Sequence, residues 1–287
     1  MSAILVVDLP SGPYALAAGP DGAMWVTLVH SGQIARVTAG GEVTVYDVAP
    51  DSKPSIITAG PDGALWFTRN GDDRIGRITT DGVLSEIELP SGSAPFGITS
   101  GPGGALWFTA MNSGVIGRVD LDGTVTEVAS PGGMPSMITA GPDGALWFTL
   151  NEANAVGRLE PSGALRVREV PTPRSGPVGI AATHDDAIWF TEIRADKVGR
   201  IPTDEAIQEL DLPGKPHAVV ADPSGGVWVS LWGADQIARI TADGEVSTID
   251  LIANGEPHGL AIEHSGSAGT ALWVAMEAGF LWRLPVG

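Results

Sequence analysis

The 287-residue chain has no cysteine, only 2 tyrosines, and 16 Lys and Arg set against 34 Asp and Glu. The missing thiols exclude a disulfide framework without by themselves naming a compartment. The shortage of basic residues leaves a net charge of −18, which repels a phosphate backbone and argues against a nucleic-acid partner. No stretch approaches the ~20 apolar residues of a membrane span. The start, Met1-Ser2-Ala3, also lacks the basic and long apolar regions of a secretory signal, so no membrane role is expected and the cytoplasm is the default.

What the chain has in quantity is turn residues, 39 Gly and 22 Pro, and 9 Trp. The phrase Gly60-Pro61-Asp62-Gly63-Ala64-Leu65-Trp66-Phe67-Thr68 comes round seven times. Its tryptophan falls at Trp25, Trp66, Trp107, Trp147, Trp189, Trp228 and Trp273, at intervals of 41, 41, 40, 42, 39 and 45 residues. A period of about 40–50 residues is that of a four-stranded propeller blade. Each repeat reads as a Pro-led apolar run, a Gly/Pro/Asp turn, a Leu-Trp-Phe-Thr strand, a polar loop, an Ile-Gly-Arg-Ile strand, an Asp-Gly turn and an alternating outer strand. The expected fold is therefore all-β, a single seven-bladed β-propeller domain over 1–287. The last repeat stops at Leu281-Trp282-Arg283-Leu284, while Ile4 to Pro10 resembles the outer strands of other repeats. The N-terminal strand is therefore expected to complete the last blade, a closure that makes a monomer the default state.

Residues shared by all blades serve the fold, and residues peculiar to one or two serve a site. The recurring arginines (Arg36, Arg77, Arg118, Arg158, Arg200, Arg239, Arg283) are scaffold on this ground. After the Pro that opens each innermost strand stand Tyr14, Ser55, Phe96, Ser136, Val178, His217 and His258, a ring expected to line one channel mouth. His217 and His258 are neighbours in it, from blades six and seven. Glu256 precedes His258 by two, and in an extended strand those side chains share a face. Glu277 lies four past Trp273, where the other blades carry no acid. Taken singly these glutamates read as solvated loop residues. Two carboxylates and an imidazole at one mouth match a hard-cation site, with Mg²⁺ bound through one or two carboxylates. Trp232 and Tyr14 offer aromatic surface to an apolar ligand or else pack the wall, and His30, in a top loop of blade one, reads as a solvated histidine. From His258 to Trp273 blade seven counts 15 residues where the others count 11, and by strand parity the extra loop lies away from the mouth.

The blade phrase, the Lys215-Pro216-His217 and Glu256-Pro257-His258-Gly259 segments, and the late Glu277 together resemble the virginiamycin B lyase (streptogramin B lyase) family from end to end. The resemblance implies Mg²⁺-dependent linearisation of cyclic depsipeptide antibiotics by elimination. It implies Glu256 and Glu277 as metal ligands, His258 as general base and His217 as a substrate-binding residue, with Tyr14 and Trp232 further candidates. Glu256 would raise the pKa of His258 and a bound metal would lower it, so its net direction stays open. Two rival readings remain: a non-catalytic propeller that binds a peptide or protein, and a metal-dependent lactonase or esterase that adds water to its product.

Overall fold

In the computed structural model, which describes residues 4–10, 12–129, 132–202, 206–265 and 269–286, the chain forms 28 strands, numbered β1 to β28 in order. They make seven four-stranded antiparallel sheets. Blade two shows the plan: β6 (Pro54–Ala59) is innermost, followed outward by β7 (Leu65–Arg69), β8 (Arg74–Ile78) and β9 (Leu84–Glu88). The innermost strands β2 (Pro13–Ala18), β6, β10 (Pro95–Gly101), β14 (Pro135–Ala140), β18 (Pro177–Ala182), β22 (Pro216–Ala221) and β26 (Pro257–Ser265) touch their neighbours in a closed cycle. The ring closes as the sequence implies. β1 (Leu5–Asp8) pairs antiparallel with β28 (Phe280–Pro285) and supplies the outer strand of blade seven.

The repeated phrase encodes two devices. In the first, seen in blades one, two and four, the tryptophan is buried between blades and its indole N–H donates to the Asp of the preceding turn, whereas Trp107 donates to the Pro102 carbonyl. Trp25 reaches Asp21 at 3.1 Å and Trp66 reaches Asp62 at 3.0 Å, and the same carboxylates receive Arg36 at 2.6 Å and Arg77 at 2.7 Å. Burial alone would raise the Asp21 and Asp62 carboxyls. The bonds from Trp and Arg outweigh it and hold both below the usual carboxylate range. In blade seven Glu263 takes the Asp role, accepting from Trp273 at 2.6 Å and Arg283 at 2.8 Å. The arginines therefore serve the scaffold.

The second device is the hydroxyl residue two positions after the Trp in blades one to six. Every innermost strand carries a bulge just after its Pro, as between Pro13 and Leu16. The hydroxyl of Thr27 fills it, accepting from the Ala15 N–H at 3.0 Å and donating to the Ser55 carbonyl of the next blade at 2.8 Å. Thr68, Thr109, Thr149, Thr191 and Ser230 repeat this stitch from blade to blade. In blade seven the position is Ala275, so the junction with blade one lacks the hydroxyl.

Packing between strands two and three is matched by size. A Cβ on Gly76 would lie 2.2 Å from the Phe67 ring it faces, so Phe is paired with Gly, whereas Val26 faces Ala35 and Val274 faces Trp282. Trp282 fills the space left by Val274 against the core between blades six and seven. The blade-seven insertion lengthens β26 and β27 (Gly269–Met276) at the end remote from His258, with His264 opposite Thr270 and Ser265 opposite Gly269. The hairpin tip at 266–268 and the start Met1 to Ala3 lie outside the described residues. Among the described residues no helix is long and apolar enough to cross a membrane.

One buried acid stands apart from these devices. Glu192 ends β19 (Ile188–Glu192) with 0% exposure. Burial raises its pKa from 4.5 to about 7, with Glu209 adding to the rise and Ser175 and Lys197 only partly opposing it. The folded chain thus holds this proton more tightly than the unfolded one. Its stabilising effect is complete below pH 4.5 and is lost as the pH rises through 7. Glu192→Gln is expected to gain on the order of 2–3 kcal/mol at pH 8 and nothing at pH 4, read from urea midpoints at the two pH values.

Candidate active site

The stitch that holds each innermost strand also fixes the residue after its Pro, because the carbonyl of that residue accepts the neighbouring hydroxyl. Ser230 donates to the His258 carbonyl at 2.7 Å, and Thr191 to that of His217 at 2.7 Å. Both imidazoles therefore leave from pinned backbone toward the channel axis. They meet edge to face, with ring centroids 4.7 Å apart. Tyr14, from blade one, reaches into the same space. Its ring is 4.8 Å from that of His258, 5.8 Å from that of His217 and 6.3 Å from Phe96 across the channel. The Tyr14 hydroxyl lies 3.4 Å from His217 Nε2. Tyr14, His217 and His258 thus form the floor of the mouth, and beneath it runs a channel cavity of about 470 Å³ walled largely by small and aliphatic residues.

Trp232 opens a short 3₁₀ turn after the second strand of blade six. Its ring stands 5.9 Å from that of His258, and the Lys215 ammonium lies 5.0 Å over its face. The indole nitrogen of Trp232 is buried without a partner. The tryptophan therefore borders His258, with its free face held by a cation.

Glu277 sits in the turn between β27 and β28, and its N–H donates to the Glu256 carbonyl at 3.1 Å, which ties the two acidic residues together through backbone. One Glu277 oxygen lies 2.5 Å from His258 Nε2. The carboxylate thus sits against one ring nitrogen of His258, and the other, Nδ1, is buried without a hydrogen-bond partner. The other oxygen accepts a 2.7 Å hydrogen bond from His30 Nε2. The solvated reading of His30 holds, with 59% of its side chain exposed, and the structure adds the bond to Glu277. Blade one adjoins blade seven once the ring closes, and that adjacency was the available signal.

The parity argument for Glu256 needs correction. Glu256 has φ +51, a left-handed residue ahead of the strand, and the bulge after Pro257 breaks simple alternation. Lys53, Ala94, Met134 and Lys215 share this conformation before their own Pro, so the backbone is scaffold and only the carboxylate is new. Its amide donates to Asp235 at 3.0 Å, which fixes the loop, and the side chain stands exposed on the rim, near enough for its charge to act on His258.

The electrostatics favour neutral groups on the floor. Burial lowers the pKa of His217 to about 3, with a small push from His258. Burial also lowers that of His258, and the Glu277 and Glu256 charges offset it only in part. Burial raises the Tyr14 phenol, aided by Glu277. Near pH 7 the site therefore presents two uncharged imidazoles and a protonated phenol beneath a carboxylate rim. The direction for His258, open in the sequence, is downward.

Among the described residues, no three His, Asp or Glu side chains form a ready-made metal cage. The donor set still fits a hard cation held by one or two carboxylates with water in the remaining positions. Glu277 turns one oxygen to the floor, Glu256 is free on the rim, and the two are joined through backbone.

Comparison with known proteins shows the family. The model of the Virginiamycin B lyase family matches residues 1–284. The chain belongs to that family. Membership makes it a lyase. Within the family it is 71% identical over 285 residues to the virginiamycin B lyase of Mycolicibacterium smegmatis, covering 99% of this chain and 100% of that one. It superimposes on the crystal structure of virginiamycin B lyase from Staphylococcus aureus with a TM-score of 0.93 at 38% identity, covering 99% of each chain. A catalytically inactive histidine-to-alanine form of that enzyme, solved with quinupristin, matches equally well.

Proposed function

We propose that this chain linearises streptogramin B-type cyclic depsipeptides by a Mg²⁺-dependent elimination at their ester linkage, and so inactivates them as antibiotics. The observation that carries the reading is the pair of abutting imidazoles His217 and His258, with Glu277 against the second. Family membership supports it, as does the S. aureus relative that is inactive without one histidine and is seen with quinupristin.

In the chemistry that fits, the substrate ester joins a carboxyl group to the side-chain oxygen of a threonine. His258 takes the threonine Cα proton, the C–H electron pair becomes the Cα=Cβ bond, and the Cβ–O bond breaks with the carboxylate leaving. No water is consumed. A neutral imidazole with Glu277 against one ring nitrogen and no partner on the other is equipped to accept that proton near pH 7. His217, kept neutral by burial, and Tyr14, kept protonated, offer hydrogen bonds to substrate amides and carbonyls without adding charge. Trp232 gives an apolar wall beside the base. A magnesium ion on Glu256 and Glu277 would supply Lewis-acid polarisation of the carbonyl next to the acidic C–H. The ring closed by β1 suits action as a monomer.

Mass spectrometry of quinupristin incubated with the protein, with Mg²⁺ and with EDTA, tests the reading. The expected result is a ring-opened isomer of unchanged mass, formed only with the metal. A product heavier by one water would establish a lactonase or esterase instead. No product at all would leave a binding module.

A further inference from the structure

We propose that His30 is a positioning residue for the reaction, holding the Glu277 carboxylate across the joint where the propeller ring closes. The proposal rests on the reading of Glu277 as a metal ligand given above.

Four observations support it. His30 Nε2 donates to one Glu277 oxygen at 2.7 Å, which leaves the other oxygen turned to the floor of the mouth beside His258. A carboxylate on a turn has free torsions, and a donor fixed on one oxygen selects the rotamer that aims the other. The His30 ring is itself held in place. It lies against Gly12, where a Cβ would fall 2.6 Å from the imidazole, and Gly12 has φ +81, so a side chain there would be both strained and obstructive. The joint also lacks what the other six have, because Ala275 stands where Thr27 and its counterparts stitch one blade to the next. At blades seven and one, the imidazole–carboxylate bond spans 247 residues of sequence and joins the first and last blades through the site itself. His30 lies outside the segments that carry the family resemblance, and its partner is set only by closure.

Mn²⁺ titration followed by the EPR signal of the free ion tests this on the whole protein, unaltered and as His30→Ala, His30→Gln and Glu277→Gln. His30→Ala is expected to raise the Mn²⁺ dissociation constant about 10–100-fold, and Glu277→Gln to abolish specific binding. His30→Gln, whose amide can still donate, is expected to recover most of the affinity. Adding Ala275→Ser to His30→Ala restores a hydroxyl to the joint; it is expected to raise the thermal midpoint without restoring Mn²⁺ affinity. Binding that Glu277→Gln abolishes and His30→Ala leaves unchanged would overturn the proposal while keeping the metal reading. Affinity recovered through Ala275→Ser would overturn it in favour of simple blade closure. No Mn²⁺ binding by the unaltered protein would overturn both.

Discussion

His258→Ala is expected to lower kcat for ring opening of quinupristin by about 10³-fold with little change in KM, since a positioned general base is worth roughly 10²–10⁴. The effect falls on kcat because the imidazole acts on a proton transferred only in the transition state. The fold should survive. The backbone of residue 258 is held by the Ser230 hydroxyl, a bond to the carbonyl that alanine keeps, and the lost contacts are the Glu277 contact and ring contacts with Tyr14, His217 and Trp232 at the mouth of the channel. Stopped assays in parallel with circular dichroism separate the two effects. Turnover close to that of the unaltered protein, in a folded variant, would remove His258 as the base.

Chelation is the second large effect. EDTA is expected to bring turnover to background and added Mg²⁺ to restore it. The Mg²⁺ concentration for half-maximal rate should rise about tenfold or more in Glu256→Gln. Replacing Glu256 by the amide keeps shape and exposure and changes only charge, so the blade should be undisturbed: the φ of +51 is borne by several different side chains at this position in other blades. Titrating rate against Mg²⁺ gives the answer directly. An unchanged half-maximal concentration would take Glu256 out of the ligand set. Activity that persists through exhaustive chelation would end the metal reading altogether.

The two acidic residues show how far a sequence can be followed into a site. Glu277 was legible because it breaks a position that the repeat otherwise leaves without acid. Glu256 was legible through its neighbourhood to His258, yet the stated reason, alternation along a strand, was the wrong one: the residue is left-handed and precedes a bulge. Its carboxylate reaches the rim because the loop is fixed by three backbone amides donating to Asp235. Nothing in the local pattern of Asn254-Gly255-Glu256 states that Asp235, in the preceding blade, supplies those bonds. Tyr14 was one ring residue among seven in the sequence. In the fold it is the centre of the floor, because its long aromatic side chain reaches Phe96, His217 and His258 from three other blades.

The sequence alone determined the number of blades, the order of strands in each, the closure by the N-terminal strand, and the mouth at which His217 and His258 stand. It could do so because a propeller repeats its local instructions: the turn, the tryptophan, the hydroxyl stitch and the paired arginine all lie within one period of about 40 residues. Tertiary structure decided the contacts that the period does not contain. The Tyr14–His217 pair spans 203 residues and the His30–Glu277 pair 247, and both exist only because closure sets blade one beside blade seven. The same holds for the neutral state of the floor, which follows from the depth at which each ring comes to rest and not from its neighbours along the chain.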